Sequence, residues 1–166
     1  MAPITKDGDK LLWSGQVVGE AGKATVAAGE ELGKSMVVPW STRSLAPMPG
    51  GDILLPTDSG VVGVERKRLD NLVKSWYNGE LAAQLGVMLD CYDHVVLLCE
   101  GEELAEEFTR YKDGAAFRRK LQQDLVTLQA AGVRVVQSTS LKDSGALVRE
   151  LWDYYNRGVH HALDRR

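Results

Sequence analysis

The spacing of apolar residues changes along this chain, from short runs typical of strands to the three-and-four periodicity typical of amphipathic helices. Beyond residue 50 the two patterns alternate. The predicted strands are residues 53–55, 61–64, 95–98 and 133–136. The predicted helices are residues 69–89 with a break at Asn78-Gly79, residues 117–128 ending near Gly132, and residues 141–155 after a capping pair, Ser140 and Asp143. This alternation predicts an α/β fold in which a mixed central sheet, parallel in part, is flanked by helices.

The first fifty residues have a weaker pattern. Residues 11–13 and 16–18 resemble short strands, residues 23–33 contain the alanine and glutamate typical of a short helix, and residues 36–38 are strand-like up to Pro39. Residues 102–110 are also expected to be helical. No repeat or clear boundary divides the chain, and 166 residues are enough to bury a core. We therefore expect one domain over residues 1–166, with a divergent part (1–50), a core (51–157) and a tail (158–166).

Composition excludes some classes of protein and leaves others open. No apolar run is long enough to cross a bilayer and the N-terminus lacks a signal-peptide core, so we expect an intracellular protein that is neither secreted nor bound to a membrane. Cys91 and Cys99 are expected to be reduced and packed as small apolar residues. The net charge of −3 excludes coating of nucleic acid by bulk electrostatics. It leaves open a DNA enzyme with a local basic patch, and basic residues group at 66–74 and 110–120.

One segment, GDILLPTDSGVVGVERK, points to chemistry. Asp52 precedes the first strand of a predicted hairpin, and Glu65 and Lys67 end the second strand. Residues two apart on a strand share a face, so Glu65 and Lys67 should project together and Arg66 should point the other way. Two carboxylates can hold Mg²⁺ or Mn²⁺, and a bound ion can supply an activated water and polarise a phosphodiester. The lysine would orient that water, help to activate it or stabilise charge at phosphorus. An ordinary charged surface hairpin is the alternative.

The same segment resembles the motif of the XPF-type structure-specific endonucleases. That motif is Gly-Asp, a variable gap, Glu-Arg-Lys, three residues and Asp, and here it is matched by Gly51-Asp52 and VGVERKRLD. The likeness continues through LDNLVKSWYNGELAAQ, Tyr92-Asp93 and VVLLCEG, and more weakly in VVQSTSLKDSGALVRELW. It implies a restriction-endonuclease-like fold of the PD-(D/E)XK type. It also implies metal-dependent cleavage of branched, flapped or irregular DNA, by a homodimer or by a heterodimer with another nuclease-fold subunit.

The resemblance also assigns roles to single residues. It makes Asp52 and Glu65 the metal ligands and Lys67 the catalytic lysine, with Arg66 in a supporting or DNA-positioning role. Gln84 matches a glutamine of the following helix, and from its place between apolar residues it is expected to need a buried partner.

Three departures from the family pattern stand out. The last acid of the motif falls on Asn71, next to Asp70; Glu80 stands where an arginine is usual; and the Val-Asp-x-Arg-Glu strand that normally opens the domain is not recognisable. An extra acid could come from Glu20, Glu30 or Glu31, but the sequence favours none of them. The tandem helix-hairpin-helix module common in the family is not found in these residues, so we expect DNA affinity to depend on a partner or on dimerisation.

Two rival functions follow from these observations. The altered motif allows a catalytically degenerate nuclease-fold module that binds DNA or serves as a dimer partner. Residues 28–35, AGEELGKS, fit a relaxed phosphate-loop pattern, but the extended residues after them disfavour nucleotide binding. His160-His161 lacks a metal-ligand context, and His94 is expected to be structural.

Overall fold

The computed structural model describes residues 3–43, 50–102 and 108–157. In chain order the strands are β1 (Thr5–Asp7), β2 (Lys10–Trp13), β3 (Gln16–Glu20), β4 (Ala24–Ala27), β5 (Trp40–Arg43), β6 (Ile53–Thr57), β7 (Gly60–Arg68), β8 (His94–Glu100) and β9 (Val133–Ser138). The helices are α1 (Leu69–Tyr77), α2 (Glu80–Cys91), α3 (Gly114–Ala130) and α4 (Leu141–Asn156). Two 3₁₀ segments, Glu31–Ser35 and Phe108–Arg110, complete the described elements.

Six of these strands form a mixed sheet in the order β5-β4-β6-β7-β8-β9. The strands β7, β8 and β9 run parallel, as do β4 and β5, whereas β6 is antiparallel to both β4 and β7. The strands β1, β2 and β3 form a separate antiparallel sheet. The predicted α/β fold with a mixed central sheet flanked by helices is confirmed.

The two faces of the sheet are covered by different elements. On one face α1, α2 and α3 bury residues such as Leu72, Leu85 and Leu121 in the same cluster as Leu97 of β8. On the other face α4 and the 3₁₀ segment Glu31–Ser35 contribute to a second cluster, in which Val148, Leu151 and Leu32 pack with residues of β6, β7 and β8. Alternate residues of each central strand therefore belong to different cores, which explains their continuous apolar runs.

Most of the elements predicted after residue 50 are confirmed. The β6–β7 hairpin closes around Gly60, and the helical segment that follows breaks at Asn78 and Gly79 into α1 and α2. Gly79 adopts φ 83°, a left-handed conformation that glycine takes without strain. Ser140 caps α4 as predicted, because its hydroxyl accepts a hydrogen bond from the Asp143 amide (3.1 Å).

Two predictions in the N-terminal part are wrong. Residues 23–33 do not form a helix, because Ala24–Ala27 are all buried as strand β4 between β5 and β6, and this packing overrides the helix propensity of alanine. Residues 36–38 are not a strand: the chain is extended at Met36 (φ −79°, ψ 142°), but strand pairing begins only at Trp40. The first fifty residues thus supply β4 and β5 to the central sheet.

Other predictions are only partly covered by the described residues. Of the helix expected over 102–110, residues 103–107 lie outside the described ranges, and Phe108–Arg110 forms a 3₁₀ turn. The tail 158–166, with His160 and His161, lies outside them as well. Cys91 and Cys99 are buried free thiols, as expected. Within the described ranges, none of the helices is both long enough and apolar enough to cross a membrane.

Candidate active site

The hairpin of β6 and β7 brings Asp52 and Glu65 to the same place. Its register pairs Ile53 with Val64, so Asp52 lies opposite Glu65 at the end where the two strands leave each other. The Asp52 amide donates to the Val64 carbonyl (2.8 Å), and its carboxylate Oδ2 accepts a hydrogen bond from the Arg66 amide (2.8 Å). Both the backbone and the side chain of Asp52 are therefore tied to β7.

Lys67 shares a sheet face with Glu65. Its Nζ lies 3.2 Å from Glu65 Oε1, and the Glu65 side chain is buried while that of Lys67 remains partly accessible. This is the face covered by α1 and α2, since Val61 and Leu97 at positions of the same parity belong to that core. The predicted alternation is confirmed: Glu65 and Lys67 project together and Arg66 projects to the opposite face.

The electrostatics of this corner disfavour the ionisation of both carboxyls at once. Burial, followed by the charge of Glu65, raises the pKa of Asp52 from 3.8 to about 7, although the Arg66 amide hydrogen bond acts in the other direction. Burial also raises the pKa of Glu65; the nearby Lys67 ammonium lowers it in part, and the charge of Glu30 raises it. Two carboxylates held together out of water destabilise each other when both are ionised, and a divalent ion would relieve that repulsion.

Arg66 is the centre of a buried ion network on the opposite face. Its Nε and Nη2 atoms donate to Glu100 (2.8 Å each), Nη1 donates to Glu30 Oε1 (2.8 Å) and Nη2 also reaches Glu31 Oε1 (3.0 Å). Glu100 Oε2 accepts a further hydrogen bond from the Ser144 hydroxyl of α4 (2.6 Å). The motif arginine therefore joins β7 to β8, to α4 and to the segment after β4.

Glu30 is the acid that sequence reasoning did not select. It follows β4, and its charge acts on both Asp52 and Glu65, so it lies close to the carboxylate pair. A weak signal was available: Val26, Ala27, Ala28, Gly29 and Glu30 keep the first and last residues of Val-Asp-x-Arg-Glu. Aligned in this way, Ala27 and Gly29 occupy the positions of the aspartate and the arginine of that pattern.

The replaced acid bears directly on the site. The register pairs Val26 of β4 with Ile53 of β6, which puts Ala27 opposite Asp52, and the Ala27 amide donates to the Asp52 carbonyl (2.8 Å). Ala27 is buried in the same core as Leu54, on the face of the carboxylate pair. A methyl group thus stands at the position where the family pattern has an aspartate.

The remaining candidates lie around the site with different roles. Asp70 and Asn71 begin α1 near the surface, and Asp70 makes a long ion pair with Arg68 (3.7 Å). Gln84 lies on α2, whose backbone at this residue approaches Gly50, two residues before Asp52. Its amide oxygen is buried and has no hydrogen-bond partner in the described part of the chain, so the partner expected from its position is not found. Glu20 is excluded, because it pairs with Lys23 at the surface (3.1 Å).

The residues present fit a magnesium-type site with few protein ligands. Across the described ranges, no three side chains of histidine, cysteine, aspartate or glutamate are grouped as metal ligands. Asp52 and Glu65 supply hard carboxylate oxygens, and Mg²⁺ commonly takes one or two carboxylates and completes its shell with water and phosphate oxygens. Burial and neighbouring carboxylates raise the pKa values of both carboxyls, and a bound cation would favour their ionised forms.

The phosphate-loop alternative has little structural support. The 3₁₀ segment Glu31–Ser35 is only five residues long, and the Glu30 carboxylate accepts the Leu32 amide hydrogen bond at its start (3.1 Å). The amide group that would bind a phosphate is therefore occupied, and two glutamates at this position would repel an anion.

Comparison with known proteins agrees with this geometry. Residues 20–151 match the ERCC4 domain family. Solved structures of XPF from Aeropyrum pernix, one of them in complex with DNA, match with a TM-score of 0.63 and 24% sequence identity. These matches cover 80% of this chain and 64% of the XPF chain, so the match spans less than two thirds of the length of that chain. No curated protein matches. With the family match covering most of its length, the chain belongs to the ERCC4 domain family of XPF-type nuclease domains.

Proposed function

We propose that this protein is a divalent-metal-dependent endonuclease that hydrolyses phosphodiester bonds in branched, flapped or otherwise irregular DNA. The observation that carries the proposal is the convergence of Asp52, Glu65 and Lys67 on one sheet face, with the pKa values of both carboxyls raised. Such an arrangement costs stability in the absence of a cation, which supports a role in chemistry rather than in folding.

Each residue has a defined task in this proposal. Asp52 and Glu65 would hold Mg²⁺ or Mn²⁺, and the ion would supply polarisation of the scissile phosphate and acidification of a water. Lys67 Nζ, fixed by Glu65, orients the attacking water and stabilises negative charge at phosphorus. Water oxygen forms the new bond to phosphorus as the bond to the leaving oxygen breaks, and the proton lost by water ends on solvent or on the leaving group.

The other residues position this set. Arg66 supports it from the opposite face, since its amide holds Asp52 and its guanidinium holds Glu30 and Glu100. Asp70 and Asn71 begin α1 directly after the strand and are proposed to approach the DNA backbone. Gln84, with its unused buried amide oxygen, is proposed as a supporting acceptor near the loop before Asp52.

The test is a cleavage assay on flapped, forked and plain duplex DNA with Mg²⁺, Mn²⁺ or EDTA. We expect metal-dependent cutting that is abolished by Asp52→Asn and by Lys67→Ala. Asp58→Asn, in the exposed turn of the same hairpin, is the matched control and should cut normally. Equal cutting by the wild type, Asp52→Asn and Lys67→Ala would show that the activity has another origin.

A degenerate module that binds DNA without cutting is the second candidate. It is favoured by Ala27 opposite Asp52 and by Asn71 in place of the last motif acid. Binding of the same DNA substrates without cutting under every metal condition would establish this function instead. We further propose that the protein acts as a homodimer or as a heterodimer with another nuclease-fold subunit, which sedimentation of the purified protein, alone and with candidate subunits, would test.

A further inference from the structure

An aromatic cluster at the surface takes no part in the site described above. It consists of Tyr77 at the end of α1, Phe108 and Tyr111 before α3, and Phe117 on α3. Phe117 meets the Tyr77 and Tyr111 rings edge-on, at centroid distances of 5.9 and 5.8 Å, and Phe108 lies 6.2 Å from Tyr111. Phe108 is buried, but Tyr77 is 72% exposed and Tyr111 40% exposed. The cluster has a packed base and two phenol rings open to solvent.

Basic residues occur in the same stretch of the chain as these rings. In residues 108–120 the only acid is Asp113, and the basic residues are Arg110, Lys112, Arg118, Arg119 and Lys120. Lys120 is paired with Asp124 (3.4 Å), whereas Lys112, Arg118 and Arg119 are exposed and have no carboxylate at ion-pair distance in the described structure. Residues 102–107 contain four glutamates, so the positive charge of this stretch is confined to the exposed cations Lys112, Arg118 and Arg119, which can attract a phosphate.

A cleft joins the two features. It has a volume of about 370 Å³ and is lined by Phe108, Thr109, Tyr111, Gly114, Ala115 and Arg118. An aromatic ring and a guanidinium that share one cleft can accept a base by stacking and its phosphate by an ion pair. Gly114 packs closely in the lining of this cleft: a Cβ there would collide with the Phe108 carbonyl oxygen, so α3 begins in direct backbone contact with this segment.

The cleft lies within reach of the proposed cleavage site. Helix α1 starts immediately after β7, which carries Lys67, and ends at Tyr77. Eight residue steps at 1.5 Å each give about 12 Å. A DNA strand that rises about 3.4 Å per nucleotide covers this length in roughly four nucleotides. The cluster also packs against the core formed by α1 and α3, on the same sheet face as Glu65 and Lys67.

We propose that the aromatic cluster and its basic surroundings bind an unpaired DNA strand next to the site of cleavage. The ligand is single-stranded because tyrosine rings can stack only on bases whose faces are not already covered in a duplex. The location relative to the cut rests on the nuclease function proposed above, whereas the binding itself does not. The surface would thus hold the flap or the unpaired arm of an irregular DNA substrate.

The experiment measures binding of a fluorescent oligothymidylate in EDTA, by anisotropy, so that cutting cannot occur. The double variant Tyr77→Leu/Tyr111→Leu should bind at least about tenfold more weakly, and Tyr77→Phe/Tyr111→Phe should bind like the wild type, because phenylalanine keeps the stacking surface. Trp40→Leu is the aromatic control, because Trp40 lies on the edge strand β5 with an exposure close to that of Tyr111. Arg118→Gln should weaken binding and reduce its salt dependence by about one ion, whereas Lys142→Gln on α4 should not.

Three results would overturn the proposal. The first is wild-type affinity in a folded leucine double variant, with folding checked by thermal unfolding. The second is an equal loss in the Trp40 control. The third is a changed sedimentation coefficient with unchanged DNA affinity, which would make the cluster a protein interface. Lys67→Ala separates the two proposals, since it should lose cutting and still bind the oligothymidylate. A wild-type protein that never cuts DNA would refute the nuclease function. The binding assay in EDTA would still test whether the aromatic cluster binds single-stranded DNA.

Discussion

Arg66 and Glu100 are joined by two hydrogen bonds of 2.8 Å, one from Nε and one from Nη2, across the neighbouring strands β7 and β8. The two side chains are 7% and 9% exposed, so this is a nearly buried bidentate pair. It fixes the end of β7 from the face opposite to Glu65 and Lys67. The geometry of the candidate site therefore depends on an ion pair that lies on the other face of the sheet.

Glu100→Gln should destabilise the protein by about 2 kcal/mol or more, because it leaves a buried guanidinium with fewer opposite charges. The hydrogen bonds from Arg66 lower the pKa of Glu100 below its ordinary value of 4.5. The stabilisation from this carboxylate is therefore present above pH 4.5 and is lost as the pH falls through the lowered pKa. Urea denaturation at pH 7 and pH 3 measures both effects.

Glu31→Gln is the matched control for this experiment. Glu31 also contacts Arg66 (3.0 Å), but its side chain is 61% exposed. Exposed ion pairs contribute about 0–1 kcal/mol, so this variant should remain close to wild-type stability. Equal losses of stability in Glu100→Gln and Glu31→Gln would contradict the conclusion that the buried Arg66–Glu100 pair is the stronger of the two ion pairs.

Asp52→Asn should stabilise the protein in EDTA at pH 8, by on the order of 1 kcal/mol or more. The pKa of Asp52 is raised from 3.8 to about 7, so the folded state holds this proton more tightly than the unfolded state. The wild-type protein therefore loses stability as the pH rises from about 4 through 7, and the variant does not. The difference in free energy of unfolding between the wild type and Asp52→Asn should vanish near pH 4. Asp58→Asn, in the exposed turn, should have the same pH dependence of stability as the wild type. A variant less stable than the wild type at pH 8 would refute the argument.

Mg²⁺ should stabilise the wild type and fail to stabilise Asp52→Asn or Glu65→Gln. Binding to the folded state alone adds about 2.7 kcal/mol when the free ion is at one hundred times its Kd. The effect should be larger at pH 8 than at pH 6, because both carboxyls must lose their protons to bind the ion and the pKa values of both are raised. Thermal unfolding with Mg²⁺ and with EDTA measures it, and Glu31→Gln should respond like the wild type. A similar rise in the Tm of Asp52→Asn would place the ion elsewhere.

The sequence predicted the part of the fold in which local pattern and tertiary packing agree. The apolar runs of β7 and β8 are buried on both faces, and the periodicity of α1 and α2 matches their burial, so period and length were sufficient signals. The alternation of Glu65, Arg66 and Lys67 followed from strand geometry alone. In the N-terminal part these signals conflict, because the two alanines of β4 favour a helix while Thr25 and Val26 favour a strand, and the pairing with β5 and β6 decides the outcome.

The site was predictable to the extent that it lies within one hairpin. Asp52, Glu65 and Lys67 are brought together by a local turn, whereas Glu30 and Glu100 approach Arg66 from positions more than thirty residues away. Such long-range pairs leave no periodic signal in a single sequence. The position of Ala27 opposite Asp52 became visible only when the register of β4 and β6 was known.

The close packing of α4 against the segment after β4 gives a last prediction, based on two glycines inside helices. A Cβ at Gly145 of α4 would lie 2.1 Å from the Ser35 carbonyl oxygen, whereas a Cβ at Gly86 of α2 would meet nothing within 4 Å. Gly145→Ala should therefore push the 3₁₀ segment away and destabilise the protein by more than about 2 kcal/mol. Gly86→Ala should stabilise it by about 0.5–1 kcal/mol, since alanine is the better helix former. Glu30 directly precedes that segment, so Gly145→Ala should also weaken the hydrogen bond between Arg66 and Glu30. Cleavage of flapped DNA should then fall under conditions in which the variant remains folded. Urea denaturation and the cleavage assay measure the two effects, and equal behaviour of the two alanine variants would contradict the close packing.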